Sequence, residues 1–160
     1  MIEYRRARRK HGNYTIRGVL DEKQFAGLAY LWKQWREEIG EEFHREAWND
    51  YMVVQIASER YLPLIAFTKD DIAVGMVECS WMIDPFTGLK TGYGDHAYVL
   101  RSYRKMNLFA GLVSAMSDVA KLWECEAECL PVAMDTQYLI PLYEGYGFNQ
   151  SGIIMRRNHE

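Results

Sequence analysis

The sequence predicts an α/β fold of the α+β kind, with a single mixed, mostly antiparallel sheet and helices on both of its faces. Three observations carry that prediction. Two helical stretches come first, at 22–38 and about 43–58. A run of extended segments follows between 61 and 100 with no helix among them, and the last third alternates helix and strand. Strands joined by short polar turns pair antiparallel, whereas a strand–helix–strand unit pairs parallel, so both in one chain give a mixed sheet. A length of 160 residues suits one hydrophobic core, not two.

The elements read in the order β-α-α-β-β-β-α-β-α-β. Tyr14–Leu20 is a short strand. Asp21 is a helix N-cap, with Gln24 in the reciprocal capping position. Phe25, Leu28, Ala29, Trp32 and Trp35 then recur at helical spacing, and Gly40 stops the helix. The second helix is expected to bury Phe43, Ala47, Tyr51 and Val54. Tyr61–Thr68 and Ile72–Ile83 are strands joined by Lys69-Asp70-Asp71, and Ile72–Val77 is apolar on both faces, as a central strand is. Asp84-Pro85-Phe86-Thr87-Gly88 is a turn, and Thr91–Leu100 completes a three-stranded meander. A helix over Arg104–Trp123 follows, with Phe109, Leu112, Val113, Met116, Ala120 and Trp123 as its buried stripe. A strand at Ala127–Ala133, a short helix from Thr136 to Tyr146 stopped by Gly147, and a last strand at Phe148–Arg156 complete the order.

Composition narrows the function classes. Hydrophobic residues make up 49% and charged residues 26%, which excludes a disordered chain, a collagen-like fibre and a disulfide scaffold. The net charge of −3 leaves no nucleic-acid footprint in the whole-chain balance. It hides an asymmetry: residues 1–10 carry +4, from Arg5, Arg6, Arg8, Arg9 and Lys10 against Glu3. Residues 1–12 therefore read as a basic N-terminal arm ahead of a domain at 13–160. The arm is either a solubilising tail or a docking element for an acidic protein partner or for nucleic acid. Cys79, Cys125 and Cys129 have no framework spacing and the four histidines are scattered, so the reading is reduced thiols, a cytoplasmic setting and no metal site. No apolar run approaches the ~18 residues of a membrane helix, and none follows the basic head as a secretory leader requires.

Two stretches carry chemistry. Val99-Leu100-Arg101-Ser102-Tyr103-Arg104-Lys105-Met106-Asn107-Leu108-Phe109 lies where a strand ends and a long helix begins. Free N–H groups and the helix dipole favour an anion at such a junction, and Arg101, Arg104 and Lys105 add positive charge. The plain alternative is a solvated basic turn. Leu139-Ile140-Pro141-Leu142-Tyr143-Glu144-Gly145-Tyr146-Gly147-Phe148 is, by itself, a short helix with a glycine stop and an ordinary aromatic at Tyr143.

In this order and at this spacing the two stretches resemble the GNAT superfamily of acyl-CoA N-acyltransferases. The family's phosphate loop reads Arg/Gln-x-x-Gly-x-Gly/Ala, often after a tyrosine and a Val-x-Pro. Val99, Tyr103 and Arg104 match it, while Arg101 stands for the proline, Asn107 for the first glycine and Phe109 for the second small residue. The family's late motif reads Asn-x-x-Ala-x-x-Leu-Tyr-Glu-x-x-Gly-Phe. Leu142-Tyr143-Glu144 and Gly147-Phe148 match, with Thr136 for Asn and Leu139 for Ala. Asn is the residue after glycine that best tolerates the left-handed region.

The resemblance implies that acetyl-CoA lies in a split between the strand ending at Val99 and the strand near 127–133. Val99 would pair with the pantetheine arm, and the segment Arg101, Arg104, Lys105, Met106, Asn107, Leu108 and Phe109 would hold the pyrophosphate. An amine then attacks the thioester directly, and Tyr143 protonates the departing thiolate, as suits a phenol with a pKa of about 10. Asp95 is the first candidate base and Glu78 the second; strand alternation places His96 on the face opposite Asp95. The acceptor would be a primary amine on a small molecule, a protein lysine or an N-terminus. Glu37, Glu38, Glu41, Glu42, Glu46 and Asp50 read either as an acidic acceptor rim or as a solvated helix face. The departures at Arg101, Asn107, Phe109 and Thr136 support an alternative. In it, a degenerate GNAT-fold protein with weak or no acetyl-CoA binding serves as a structural or binding subunit, for example in a bacteriophage virion, and a homo-oligomer is a further expectation.

Overall fold

The computed structural model describes residues 8–19, 21–131 and 139–149, with only the backbone at Arg8, Glu22, Lys105 and Met106. They form a six-stranded sheet in which the strands lie in sequence order. These are β1 (Arg8–His11), β2 (Tyr14–Gly18), β3 (Tyr61–Phe67), β4 (Ala73–Ile83), β5 (Lys90–Val99) and β6 (Ala127–Cys129). Neighbours pair antiparallel throughout, except β5 and β6, which are parallel. The mixed, mostly antiparallel sheet expected from the sequence is the one observed.

Helices α1 (Glu22–Glu38) and α2 (Arg45–Ala57) cover one face of the sheet, and α3 (Leu108–Leu122) covers the other. The capping box of α1 is formed in both directions: the Asp21 carboxylate accepts the Gln24 N–H at 2.8 Å, and the Gln24 side-chain oxygen accepts the Asp21 N–H at 3.2 Å. Leu28, Ala29, Leu31 and Trp32 are its buried face.

Helix α2 corrects one expectation. Its buried residues are Trp48 and Met52, whereas Val54 is 68% exposed and Ala47 and Tyr51 also lie outward. Apolar residues stand on both sides of this helix, so periodicity leaves its rotation open. The large Trp48 ring decides it by packing on Phe25 and Phe43 at 4.9 and 5.8 Å between centroids.

The helix expected from Arg104 is broken. Arg101–Met106 is a 3-10 turn, Asn107 adopts the left-handed conformation at φ 54°, and α3 starts afresh at Leu108. Leu108, Leu112, Ala115, Met116 and Val119 fill the core on this face, and Phe109 is half-buried at its margin rather than within the stripe.

The basic segment at 8–11 is not loose: it is the edge strand. Arg9 pairs with Asp118 of α3, and His11 lies against the Asn107 carbonyl at 3.0 Å. Gly111 permits that approach, since a Cβ there would come within 2.6 Å of the His11 ring. Charged residues on an edge strand also discourage pairing with another chain.

Helix α4 (Ile140–Glu144) is shorter than expected, and Gly147 ends it at φ 87°. Phe148 and Asn149 are not in a strand, and β6 stops at Cys129, short of Leu130 and Pro131; the rest of the strand expected at 148–156, the end of the strand expected at 127–133 and the start of the helix expected from Thr136 lie outside the described residues. No described helix is long and apolar enough to cross a membrane.

Candidate active site at the bulge of β5

Strand β5 pairs with β4 through Cys79–Gly94 and then Glu78–His96, so Asp95 is an extra residue in the ladder. Such a bulge sends two successive side chains to one face and breaks the alternation assumed from sequence. Gly94 faces α3, where a Cβ would come within 2.6 Å of Met116 and 2.5 Å of Leu130. Asp95 and His96 then both face α1. The Asp95 carboxylate accepts the Ser80 hydroxyl, and His96 Nδ1 meets Glu78 Oε2 at 3.0 Å. The reading that set His96 on the face opposite Asp95 is therefore wrong. A signal was present: Gly92 and Gly94 inside a strand pattern mark a bulge or a close backbone approach.

Glu78 sits at the centre of this cluster with no exposed surface. Its other oxygen accepts the Trp32 indole N–H at 2.6 Å. Trp32 and Trp35 of α1 hold the His96 ring edge-on and tilted, at 4.9 and 5.4 Å between centroids. Tyr61 from β3 lies beneath, its hydroxyl 3.5 Å from Met52 Sδ. Burial, and then the Glu78 charge, drive the Tyr61 phenol far above its ordinary pKa, and burial with the Glu78 and Asp95 charges lifts Tyr51 to about 12. The Asp95 carboxyl is raised as well. Burial is the main cause and Glu78 adds to it, while Ser80 and His96 oppose. Burial holds Cys79 in its neutral form, so this thiol is no nucleophile. Trp32, Trp35, Tyr51, Tyr61 and Ser80 were not singled out as site residues by the sequence, because they come together from four separate elements.

A second polar centre lies at the end of α1. Glu38 accepts Arg104 Nη2 at 2.7 Å, the Tyr98 hydroxyl at 3.0 Å and Arg101 Nη2 at 3.5 Å. Desolvation works to raise its carboxyl, but these bonds and charges outweigh it and leave the pKa below the ordinary value. Arg104 Nε also donates to the Val99 carbonyl at 3.0 Å. Tyr30, Gln34, Glu37, Glu38, Tyr98 and Arg101 help line an open groove of about 730 Å³ here.

The segment expected to hold the pyrophosphate therefore has a definite shape. Arg101 and Arg104 are tied to Glu38, and Lys105 and Met106 continue the 3-10 turn. Asn107 supplies the left-handed residue, and Leu108 and Phe109 begin α3, which no described side chain caps. The Leu108 side chain is fully buried, and the Phe109 ring stacks on Tyr143 of α4 at 5.6 Å. Strands β5 and β6 pair only over Thr91–Tyr93 among the described residues, so β5 from Gly94 to Val99 borders the region where they part. Backbone amides at a fresh helix start, and a β5 edge that no described residue pairs beyond Tyr93 on the β6 side, fit a pantetheine arm and its phosphates.

The profile of the Acetyltransferase (GNAT) family matches residues 25–148. No curated protein matches the sequence. Solved structures show the same fold. The aminoglycoside antibiotic 6'-N-acetyltransferase AAC(6')-Ih from Acinetobacter baumannii is 21% identical, with a TM-score of 0.75 over 92% of this chain and 98% of its own. AAC(6')-Iy, solved with a bisubstrate analogue of CoA, is 17% identical, with a TM-score of 0.77 over 94% and 99%. Glucosamine-6-phosphate N-acetyltransferase from Arabidopsis thaliana is 14% identical, with a TM-score of 0.72 over 92% and 99%. With a family match over most of its length, the chain belongs to the GNAT family of acetyltransferases.

Proposed function

We propose that the protein transfers an acetyl group from acetyl-CoA to a primary amine by direct attack within a ternary complex. The observation that carries this reading is the acidic, aromatic-walled cluster at the β5 bulge, placed beside the point where β5 and β6 part. Val99 and the amides of Arg104–Leu108 would hold the pantetheine arm and the pyrophosphate. An anion would compete with Glu38 for the Arg104 side chain, held at 2.7 Å, while the largely exposed Arg101, at 3.5 Å, is the more available of the two. When bound, acetyl-CoA supplies the acyl group as an activated thioester.

The chain's own residues do the rest. The cluster's negative charge favours a cationic acceptor, and Trp32 and Trp35 give it flat walls. The acceptor ammonium gives up its proton within this cluster, where Asp95 is the half-buried carboxylate that faces it and Glu78 is the carboxylate sealed beneath. A raised carboxyl makes Asp95 a stronger base than an exposed aspartate. Tyr143 gives a proton to the leaving sulfur. Amino sugars are the first acceptors to try, because the neighbouring structures include enzymes named for aminoglycosides and glucosamine 6-phosphate.

Calorimetry with acetyl-CoA tests the reading, followed by turnover of an amino-sugar and polyamine panel. Binding is expected, with Tyr143→Phe lowering kcat about 10-fold or more and leaving the cofactor KM unchanged. A second reading, a GNAT-fold binding subunit without catalysis, is favoured by Glu38 already occupying both arginines. No binding at millimolar acetyl-CoA would establish that second reading over the first.

A further inference from the structure

We propose that His96 is the proton acceptor of this transfer and that Glu78 is its positioning residue; the assignment rests on the acetyltransferase reading above. Glu78 has no exposed surface, so no acceptor amine can touch it. Its two oxygens are directed at Trp32 Nε1 and His96 Nδ1. A carboxylate sealed in the middle of β4 is costly to bury, and an apolar side chain between Val77 and Cys79 would serve packing better. The carboxylate is accounted for by what it does to the imidazole. It takes the Nδ1 proton, which leaves Nε2 with its lone pair free.

His96 is the member of the pair that reaches the site. Its side chain is 33% exposed, and none of the described residues hydrogen-bonds Nε2, which lies across the ring from Glu78. Trp32 and Trp35 fix the ring plane, and the bulge sets it beside Asp95. The titratable groups around the pair are Asp95 on β5, Tyr61 on β3 and Tyr51 on α2. From α1 the groups that touch it are the indoles of Trp32 and Trp35, which neither titrate nor carry charge.

The step balances as follows. The acceptor ammonium passes one proton to His96 Nε2, and the resulting imidazolium is stabilised by the Glu78 carboxylate. The neutral amine forms the new C–N bond as the C–S bond breaks, Tyr143 protonates the sulfur, and the second proton, shed by the new amide nitrogen, passes through water to restore the Tyr143 phenol. His96 then returns its proton to water through its exposed edge. In this assignment Asp95 binds the ammonium rather than deprotonating it. The arrangement follows the logic of a carboxylate holding a histidine in the productive tautomer.

Two measurements test it. Nitrogen-detected NMR of the protein without substrate is expected to show neutral His96 as the Nδ1–H tautomer, and Glu78→Leu is expected to abolish that preference. With acetyl-CoA and an accepted amine, His96→Gln is expected to lower kcat about 100-fold or more with the acetyl-CoA KM unchanged. It should also remove the acid limb of the pH–rate profile, and added imidazole should partly restore His96→Ala. An Nε2–H tautomer, or a His96→Gln variant with the wild-type rate and limb, overturns the assignment while leaving the acetyltransferase reading intact. A wild-type protein that neither binds acetyl-CoA nor acetylates any amine overturns both.

Discussion

Two carboxylate-centred regions of the molecule solve opposite problems. Glu38 ends α1 at the surface and is surrounded by cations, with Arg101, Arg104 and the Tyr98 hydroxyl all directed at it. Glu78 and Asp95 stand within the sheet and have neutral or weakly basic partners: an indole, an imidazole and a hydroxyl. The first carboxyl is held below its ordinary pKa and the Asp95 carboxyl above it. The first arrangement stores charge that an anionic ligand can compete for. The second leaves carboxylate charge without a guanidinium or ammonium beside it. The two regions differ in the company given to a carboxylate.

Breaking the buried centre should have the largest effect. Glu78→Ala leaves the Trp32 indole and His96 without their shared acceptor and opens a cavity, so it should cost about 3 kcal/mol in urea unfolding. A midpoint matching the wild type would show that the cluster holds nothing together. Gly94→Ala attacks the same region from the other face, by driving a Cβ into Met116 and Leu130. It should cost about 1–3 kcal/mol and disturb the bulge that turns Asp95 toward α1.

The sharpest form of the comparison has the smallest effect and depends on sign. Glu38 is lowered from its ordinary 4.5, so its network adds stability above that pH and loses it as pH falls through the folded value. Glu38→Gln should therefore be less stable than wild type at pH 7, with the gap closing in acid. Asp95 is raised from 3.8, so the fold favours its neutral form. That contribution is present below pH 3.8 and is lost as pH rises through the folded value. Asp95→Asn should accordingly be the more stable protein at pH 7, and this gap too should close in acid. Thermal melts at pH 7 and pH 3.5 decide it. Two differences of the same sign would dissolve the contrast.

Much of the fold was legible because its signals are local. The capping box of α1, the glycine stop after α4 and the polar turn at 69–71 are written in neighbouring residues. The rotation of α2 was not, since its apolar residues lie all around it and only Trp48's fit against Phe25 and Phe43 selects a face. Nor was the edge strand at 8–11, whose five-residue context reads as basic tail until it is paired with β2 and clamped to α3. For the site, Asp95 and Glu78 could be singled out by residue type and strand position, and Tyr143 through the family's late motif, but the relation of Asp95 to His96 depends on one extra residue in a ladder.

What the chain determined by itself is the order of its elements from Tyr14 to the short helix before Gly147, and the two motif stretches at 99–109 and 139–148. Those depend on contacts a few residues apart, which composition and spacing encode directly. Tertiary structure decided which residues meet. It tied Arg101 and Arg104 to a glutamate more than sixty positions earlier, and it turned His96 onto the face of Asp95 over a buried glutamate. Such pairings follow from register across strands, and a shift of one residue at a bulge reverses a side chain's face without changing any local signal.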